Sequence, residues 1–362
     1  MCLVMSLAFL STRPTGLTNY ALNILPHLLT LQPRVLVADR FKAQLPDPQS
    51  PCYQPIPYHL SGDHGLSGHL RRLLWTQTRL PHHQRHGGGS LLFCPVPEAP
   101  LGNPRPTVVM VHDLIPLRFA HRKSALSLYF RYGLPWILRQ AAHIICNSQS
   151  TADDVMRFYG IPARKLTPIP LAYDAQRFRP LNLPRQPYFL YVGRSDPHKN
   201  LPRMIEALAL LPKTVECQLW IGGNGDRRYT PQLQDQIHTL GLGDRVKFLG
   251  YVADADLPQL LSQAQGLLFP SLWEGFGLPV LEAMACGTPV ITSNCAALPE
   301  VAGEAALLVD PYQPRAIAEA LASLCHDQTL WHDLHRAGLA QAQRFSWQKT
   351  GSTTGALLQT FL

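Results

Sequence analysis

Short, continuously apolar segments alternate along the chain with segments of helical periodicity. In the first half the apolar segments lie at 3–10, 34–38, 90–94, 106–112 and 143–148. Helices are predicted from about Leu17, near 68–80 and around 124–140. Strands without polar residues on alternate positions are buried on both faces, which is typical of a parallel sheet covered by helices. The pattern therefore predicts an α/β fold.

The same alternation restarts after a proline-rich stretch at 178–187. Apolar strand segments follow at 188–193, 217–223, 245–250, 266–271, 289–293 and 306–310. Helices are predicted between them, and the last two are expected at about 314–341 and 346–361. The restart predicts two Rossmann-like domains, 1–180 and 181–344, with a C-terminal helix at 345–362 that packs back on the first. A ligand cleft is expected at the carboxyl ends of the strands.

The net charge indicates the class of partner, and the cysteines indicate the cellular compartment. The chain has 362 residues, a net charge of +8 and eight cysteines without a C-x-x-C pair. A basic balance favours anionic partners, but Lys and Arg are scattered rather than clustered with aromatic residues, which argues against nucleic acid. Scattered cysteines inside apolar segments are typical of a reducing compartment. We expect a cytoplasmic protein without a signal peptide.

The segment 271–287 contains the densest set of functional candidates. Glu274 precedes a glycine-rich turn, Gly275–Gly277, and a helix is predicted to begin near Leu278 and to carry Glu282. Backbone N–H groups of Gly275, Phe276 and Gly277 at a helix N-terminus would form an anion site. Glycine also allows a ligand to approach the backbone closely.

Two further strands are followed by residues suited to a sugar phosphate. Gly193 ends a predicted strand, and Arg194 and Lys199 lie on the loop that follows. Two cations at the carboxyl end of a strand can neutralise a diphosphate. His112 ends another strand and could donate a hydrogen bond to a sugar hydroxyl. The neighbouring Asp113 is as well suited to capping a turn.

These segments together resemble one enzyme family. Residues 271–287 resemble the E-x7-E signature of retaining GT-B glycosyltransferases of family four, the glycosyl transferases group 1, and residues 193–200 match the pattern G-R-x-x-x-x-K-N. The resemblance covers nearly the whole chain and is strongest from 188 to 310. It implies a GT-B fold, in which two Rossmann-like domains with parallel sheets face a central cleft.

The resemblance also implies roles for individual residues. Glu274 would contact the hydroxyls of the donor sugar, Glu282 the nucleotide ribose, and His112 the donor sugar. Arg194 and Lys199 would stabilise the leaving diphosphate in place of a metal ion. The implied catalytic set is His112, Arg194, Lys199 and Glu274. The implied donor-binding set is Gly16, Gly193, Gly250, Tyr251, Gly275, Phe276, Gly277, Leu278 and Glu282. Gly16 follows Pro14 and Thr15 in a strand-to-helix loop, and Gly250 and Tyr251 form a turn beside the base.

The implied activity is retaining transfer of a hexose, mannose in mannosyltransferase-like members, from a nucleotide diphosphate sugar. GDP-mannose and UDP-glucose are the candidate donors, and the acceptor is a glycan, a lipid-linked sugar or a small molecule. Peripheral contact of the protein with the inner face of a membrane is expected. No cofactor is implied. Another GT-B enzyme, such as a phosphorylase or a sugar-nucleotide epimerase, and a non-catalytic sugar-nucleotide-binding protein remain alternatives.

Two apparent metal motifs have simpler interpretations. Asp254-Ala255-Asp256 has the D-x-D pattern of a metal-dependent glycosyltransferase, but Asp256 precedes a predicted helix and is interpreted as its N-cap. His82 and His86 are four residues apart without the glutamate of a zinc protease motif. The sequence therefore predicts no metal site.

Overall fold

The computed structural model describes residues 2–12, 15–86, 88–119, 125–212 and 214–362. The chain divides into two compact units, one running up to Leu171 and including Trp347–Leu362, the other Ala172–Ser346. Within the described residues each unit is built on one parallel sheet, with seven strands in the first and six in the second. The predicted α/β class, two Rossmann-like domains with parallel sheets, is confirmed.

The sheet of the first unit reverses its direction of growth at its first strand. Its order is β3-β2-β1-β4-β5-β6-β7, so that β1 pairs with both β2 and β4. The strands are β1 Cys2–Ser6, β2 Arg34–Val37, β3 Tyr53–Pro55, β4 Gly89–Cys94, β5 Thr107–Val111, β6 His143–Cys146 and β7 Leu166–Pro168. The helices of this unit that precede the second unit in sequence are α1 Gly16–Leu28, α2 Gly65–Thr78, α3 Leu80–His86, α4 Ile115–Arg118, α5 Ala125–Leu128, α6 Leu134–Gln140 and α7 Gln149–Tyr159.

The second unit repeats this plan. Its sheet has the order β10-β9-β8-β11-β12-β13, and its first strand, β8, pairs with β9 and β11. The strands are β8 Tyr188–Val192, β9 Gln218–Gly222, β10 Val246–Gly250, β11 Gly266–Phe269, β12 Val290–Ser293 and β13 Leu307–Val309. The helices are α8 Leu201–Leu210, α9 Thr230–Thr239, α10 Leu257–Gln263, α11 Leu278–Ala285, α12 Leu298–Ala302, α13 Pro314–His326 and α14 Gln328–Ala342.

Capping residues explain where several helices begin and end. Thr15 precedes α1, and its hydroxyl accepts a hydrogen bond from the backbone N–H of Thr18 (3.3 Å). Ser148 caps α7 in the same way through the N–H of Thr151 (3.0 Å), and α7 ends at Gly160 in the left-handed conformation. These contacts satisfy backbone groups that a helix leaves without partners at its ends.

Two predicted helices differ from those in the structure. The helix expected at 314–341 is two helices, α13 and α14, because Asp327 adopts an extended conformation and caps α14 through the N–H of Leu330 (2.9 Å). The helix expected around 124–140 consists of α5, a π-helical turn at Tyr129–Gly133, and α6. Its first residue lies outside the described residues.

The boundary between the two units also differs from the sequence-based one. Residues 172–180 pack with the second unit, in which Arg177 pairs with Asp254 (3.4 Å) and Phe178 is buried. The last helix, α15 Trp347–Gln359, packs on α1 of the first unit. The hydroxyl of Thr350 on α15 donates a hydrogen bond to the carbonyl of Pro170 (2.7 Å).

Candidate active site

The carboxyl ends of β8 and β11 bring Lys199 and Glu274 together. These strands are parallel neighbours, with Leu190 opposite Leu267, so the loops that follow them leave the same edge of the sheet. The ammonium of Lys199 lies 2.6 Å from a carboxylate oxygen of Glu274, and both side chains are largely buried. It also lies 5.1 Å from the centre of the Phe269 ring. A charged pair of this kind, held in a low-dielectric setting, is a preorganised electrostatic element.

Asn200 fixes the loop that carries Lys199. It adopts the left-handed conformation immediately before α8, and its side-chain amide donates to the carbonyls of Pro270 (2.9 Å) and Pro311 (2.7 Å). The loop after β8 is thereby tied to the ends of β11 and β13. Asn200 was not among the predicted site residues, although it directly follows Lys199 in the sequence.

Arg194 lies on the same loop but is exposed to solvent. Its guanidinium pairs with Asp196 (3.1 Å), and the hydroxyl of Tyr191 donates to its backbone carbonyl (2.6 Å). Between Arg194 and Lys199 lies the buried His198, whose pKa is lowered by burial and then by the charge of Lys199. Glu274 and Asp196 act on the pKa of His198 in the opposite direction. Asp196 and Tyr191 were not among the predicted site residues.

The glycine-rich turn before α11 is buried. Gly277 is the N-cap of α11 with a φ of +116°, and a Cβ at this position would lie 2.7 Å from the Leu298 side chain. Only glycine is compatible with both conditions. The side chain of Phe276 packs edge-on against Phe345, with 6.0 Å between ring centres. Leu278 is the first residue of α11, and Pro279 occupies its first turn, as predicted. That Gly275, Phe276 and Gly277 bind an anion through their N–H groups stays a prediction.

Glu282 lies one turn further along α11 and forms a separate part of the site. Burial raises the pKa of its carboxyl to about 8, with Arg177 lowering it and Asp254 raising it. Among the described residues, no hydrogen bond or ion pair joins Glu282 to Lys199 or Glu274. The structure thus brings Lys199 and Glu274 into direct contact, while the role of Glu282 at the ribose stays a prediction.

The raised pKa of Glu282 predicts a pH-dependent effect of its replacement. Because the folded-state pKa of about 8 lies above the ordinary value of 4.5, the ionised carboxylate destabilises the folded state, increasingly so from pH 4.5 to 8. We expect Glu282→Gln to raise the melting temperature of the ligand-free protein above pH 8 and to leave it unchanged below pH 4.5. Thermal unfolding across this range measures the effect. The exposed Glu319→Gln is the control, and an equal response of both variants would contradict the assignment.

Gly250 is the last residue of β10, and Tyr251 follows it at the same edge of the sheet. Gly250 has a φ of +69°, and its carbonyl accepts a hydrogen bond from the N–H of Gly223 (2.7 Å). Tyr251 is 70% exposed. Its aromatic face is therefore available to a ligand, although its contact with a base stays a prediction.

The ends of β8 and β9 approach each other so closely that Gly223 has no room for a side chain. A Cβ at Gly223 would lie 2.0 Å from the carbonyl oxygen of Gly193, and its φ is +137°. We expect Gly223→Ala to lower the free energy of unfolding. The strained φ should account for about 1–3 kcal/mol, and the overlap with Gly193 adds to it. Gly243→Ala is the matched control, since a Cβ there meets nothing within 4 Å. Urea denaturation measures both, and equal stabilities would show that the predicted overlap is absent.

In the first unit, His112 is held as a neutral imidazole at the end of β5. Its Nε2–H donates to the carbonyl of Pro95 (2.9 Å), and its ring packs edge-on against Tyr20, with 5.0 Å between ring centres. Burial lowers its pKa to about 4, so that it is uncharged at neutral pH. Because a carbonyl can only accept, the second ring nitrogen of His112, Nδ1, carries the lone pair. Asp113 accepts from the N–H of Ile115 (3.0 Å) and caps the turn before α4.

A buried ion pair supports the segment that His112 contacts. Arg72 on α2 forms two hydrogen bonds with Glu98, at 2.6 and 2.8 Å, three residues after Pro95. The hydroxyl of Tyr129 donates to the carbonyl of Pro97 (2.5 Å). Burial acts to raise the pKa of Glu98, but hydrogen bonds from Arg72 and His69, and then the charge of Arg72, lower it to about 2. Neither Arg72 nor Glu98 was predicted from the sequence.

Asp63 organises the loop between β1 and α1. One of its carboxylate oxygens accepts from Ser11 Oγ, Thr12 N and Thr12 Oγ1 at 2.7–2.9 Å, and the other accepts from the hydroxyl of Tyr58 (2.8 Å). Gly16 is the first residue of α1. Pro14, which was assigned to the same loop, lies outside the described residues. Asp63 was not predicted from the sequence because it is distant from this loop along the chain.

Residues of the two apparent metal motifs make ordinary structural contacts. Asp254 pairs with Arg177 (3.4 Å), and Asp256 is the N-cap residue of α10, as predicted, although its side chain makes no capping bond. On α3, which carries His82 and His86, the intervening His83 packs against Trp75, with 5.7 Å between ring centres. Within the part of the chain that the structure describes, three or more His, Cys, Asp or Glu side chains are nowhere grouped as metal ligands. None of the described helices has the length and apolar character needed to cross a membrane.

Comparison with known proteins assigns the family. Residues 173–341 match the model of glycosyl transferases group 1, and residues 14–177 match that of glycosyltransferase family 4. Over 239 residues the chain is 33% identical to O-antigen chain mannosyltransferase B of Escherichia coli, a match that covers 62% of each chain and hence less than two thirds of that relative.

Solved structures share the fold at low sequence identity. Sucrose-phosphate synthase from Thermosynechococcus elongatus superposes with a TM-score of 0.78 at 22% identity, covering 99% of this chain and 98% of that one. Anabaena Alr3699/HepE in complex with UDP-glucose superposes with a TM-score of 0.76 at 21% identity, covering 100% of both chains. With the matched models and both parallel sheets, these findings establish that the chain belongs to the group 1 glycosyltransferases of the GT-B fold.

Proposed function

We propose that the protein transfers a hexose from a nucleotide diphosphate sugar to a glycan, a lipid-linked sugar or a small molecule, with retention at the anomeric carbon. The observation that carries the proposal is the buried contact between Lys199 and Glu274 at the carboxyl edge of the second sheet. This contact supports the proposal because a cation suited to a phosphate lies beside a carboxylate suited to sugar hydroxyls, with Arg194 on the same loop as Lys199.

In the proposed reaction, the bond from the anomeric carbon to the diphosphate oxygen breaks, and its electron pair goes to the diphosphate. Lys199 and Arg194 stabilise the negative charge that develops there. The acceptor hydroxyl forms the new bond to the anomeric carbon on the face from which the diphosphate leaves. Its proton passes to an oxygen of the leaving phosphate, so that no protein nucleophile is required.

Glu274 is suited to a binding role in this scheme. Glu274 accepts a hydrogen bond from Lys199, and a carboxylate has further lone pairs that can accept from two hydroxyls of one sugar ring. Glu282, with its raised pKa, would take the ribose of the nucleotide. His112 remains our proposed contact to the donor sugar. No cofactor is part of the proposal.

The donor is proposed from the relatives. Similarity to a mannosyltransferase of Escherichia coli supports mannose as the sugar and hence our choice of GDP-mannose as the donor. Similarity to Anabaena Alr3699/HepE, solved in complex with UDP-glucose, supports UDP-glucose. We further propose that the chain acts in the cytoplasm, where its cysteines would stay reduced. There it would reach lipid-linked acceptors at the inner face of the membrane.

Product analysis tests the proposed function. Each donor is incubated with and without a glycan acceptor, and nucleotide release and the anomeric configuration of the product are followed. Acceptor-dependent release of the nucleoside diphosphate with a retained anomeric centre is the expected result. A phosphorylase would require added phosphate, and an epimerase would convert the nucleotide sugar without releasing nucleotide. Binding without turnover would indicate a non-catalytic protein, and each of these results would overturn the proposal.

A further inference from the structure

Two cysteines, Cys217 and Cys325, meet at the edge of the second sheet where its strands begin. Cys217 directly precedes β9, and Cys325 lies near the end of α13. The thiol of Cys325 donates a hydrogen bond to the sulfur of Cys217. The end of α13 is held at this edge because the carbonyl of Leu324 accepts a hydrogen bond from the side chain of Gln265, which precedes β11. Two thiols that are distant in sequence are thus kept in contact.

Arg245 brings a positive charge to this pair. It directly precedes β10, and its guanidinium donates to the carbonyls of Val215 (3.2 Å) and Cys217 (3.3 Å). In this position its Nη2 lies 3.8 Å from Cys217 Sγ. A cation at the sulfur stabilises the thiolate, which is the form of cysteine that acts as a nucleophile. The same cation disfavours the binding of a metal ion by the two sulfurs.

The surroundings distinguish the two thiols from each other. The hydrogen bond from Cys325 lowers the pKa of Cys217, burial acts to raise it, and the charge of Arg245 lowers it, so that it lies below its ordinary value. The same hydrogen bond, followed by burial, raises the pKa of Cys325 despite the charges of Arg245 and Arg185. Burial likewise raises the pKa of Cys94 in the core of the first unit. Cys217 is therefore the thiol of the pair that ionises first.

An open cavity gives small molecules access to Cys217. Its volume is about 380 Å³, and its lining includes Cys217 and Arg245 together with the exposed Glu216 and Asp244. Hydrogen peroxide is little larger than water and fits easily into this space. The sulfur that ionises first is thus one that a small oxidant can reach.

The cysteine pair is separate from the candidate active site. Cys217 and Arg245 precede their strands, whereas Lys199 and Glu274 lie in loops that follow β8 and β11. Because the strands are parallel, the two sites occupy opposite edges of the same sheet. No step of the proposed sugar transfer uses these thiols, so their arrangement is not explained by that reaction.

We propose that Cys217 and Cys325 form a dithiol that reacts with hydrogen peroxide and closes to a disulfide. The thiolate of Cys217 attacks one peroxide oxygen, the O–O bond breaks, and the released hydroxide takes up the proton lost by the thiol. The sulfur of Cys325 then attacks the resulting sulfenic acid, so that the S–S bond forms and the S–O bond breaks. The hydroxide released here takes the proton of Cys325. The two sulfurs lose one electron each, and the peroxide is reduced to two molecules of water.

The proposed bridge is compatible with a reducing compartment. There the pair would be reduced at rest and oxidised only in the presence of peroxide, since disulfides in such compartments are usually transient. A dithiol reductant would reopen the bridge by thiol–disulfide exchange. While closed, the bridge would tie the start of β9 to the end of α13 and protect Cys217 from further oxidation.

Peroxide treatment of the full chain, without donor or acceptor, tests the proposal. We expect peptide mass spectrometry to find a disulfide between Cys217 and Cys325, and dithiothreitol to reverse it. Cys325→Ser should stop the reaction at the sulfenic acid of Cys217, which dimedone labels, and Cys217→Ser should form no bridge. Cys295→Ser changes another partly buried thiol of the second unit. It is the matched control and should form the bridge at the rate of the unaltered protein.

Two further measurements test the charge and the constraint. Arg245→Gln should slow the oxidation of Cys217 about tenfold at neutral pH, because a smaller fraction of the thiol is ionised. Arg245→Lys, which keeps a positive charge, should slow it less. The bridge closes a loop of about a hundred residues, so the oxidised protein should melt about 5 °C or more above the reduced protein.

Three results would overturn the proposal. In the first, both thiols of the folded protein stay reduced in peroxide while other cysteines react. In the second, the bridge forms between other cysteines. In the third, Cys217 is converted to a sulfinic acid without a bridge, because Cys325 would then not have reacted with it. No nucleotide sugar is present in these experiments, so their outcome is independent of the proposed glycosyl transfer.

Discussion

Replacing Lys199 by alanine should reduce kcat for sugar transfer about 10²–10³-fold, the usual effect of removing one preorganised electrostatic group. The physical reason is its position. Its ammonium is largely buried, lies 2.6 Å from Glu274 and faces the ring of Phe269. In such surroundings its charge is screened less than that of a surface lysine, and it acts most strongly where negative charge develops during the reaction. Steady-state kinetics with saturating donor measures the change.

Two additional variants separate catalysis from folding in this test. Lys247→Ala removes another cation of the second unit, one that is exposed and lies 4.5 Å from the centre of the Trp220 ring, and it should leave kcat unchanged. Lys199→Ala/Glu274→Gln removes the unpaired carboxylate that the single change would leave behind, and its melting temperature should exceed that of Lys199→Ala. If Lys199→Ala retained full kcat in a folded protein, the diphosphate would have to be stabilised elsewhere.

The contact between Lys199 and Glu274 could be predicted only in part from the sequence. Both residues follow strongly apolar strand segments, and the ends of parallel strands share one edge of a sheet. The sequence therefore indicates that both face the same edge. It does not reveal that β8 and β11 are direct neighbours, because their order depends on the packing of the whole sheet.

Elements with weak local signals could not be predicted. Strands β3 and β7 have three residues each and both end in proline, which is unfavourable in a strand interior. The break at Asp327 was missed because the apolar periodicity continues across it, although Asp is a common N-cap. Local signals were sufficient only where an apolar strand was followed by a distinctive loop.

Interactions between distant parts of the chain had no sequence signal at all. The bonds of Asp63 to Ser11 and Thr12, and those of Arg72 to Glu98, arise only when the sheet of the first unit has formed. Each of these residues taken alone is indistinguishable from an ordinary surface charge. They nevertheless determine the geometry of the loops beside Gly16 and His112.

The Arg72–Glu98 pair provides the second large expected effect. Arg72→Met should lower the free energy of unfolding by about 3–5 kcal/mol, because the buried carboxylate of Glu98 loses both hydrogen bonds from Arg72 and the guanidinium charge, and is left with its contact to His69 (3.3 Å). The structural consequence should extend to His112, whose ring is hydrogen-bonded to Pro95 in the segment that Glu98 anchors. Urea denaturation measures the stability. Arg336→Met is the control, since it removes an exposed ion pair with Asp333 and should change the stability by less than about 1 kcal/mol.

A second substitution and a pH series determine whether the charge is responsible. Arg72→Met/Glu98→Gln leaves no unpaired charge, so it should recover part of the stability lost in Arg72→Met. Because the pKa of Glu98 is lowered to about 2 from an ordinary value of 4.5, its contribution in the unaltered protein is fully present above pH 4.5 and is lost as the pH falls towards 2. The stability difference between the unaltered protein and Arg72→Met should therefore shrink over this range. A difference that stayed constant with pH would mean that Arg72 stabilises the first unit through packing rather than through its pair with Glu98.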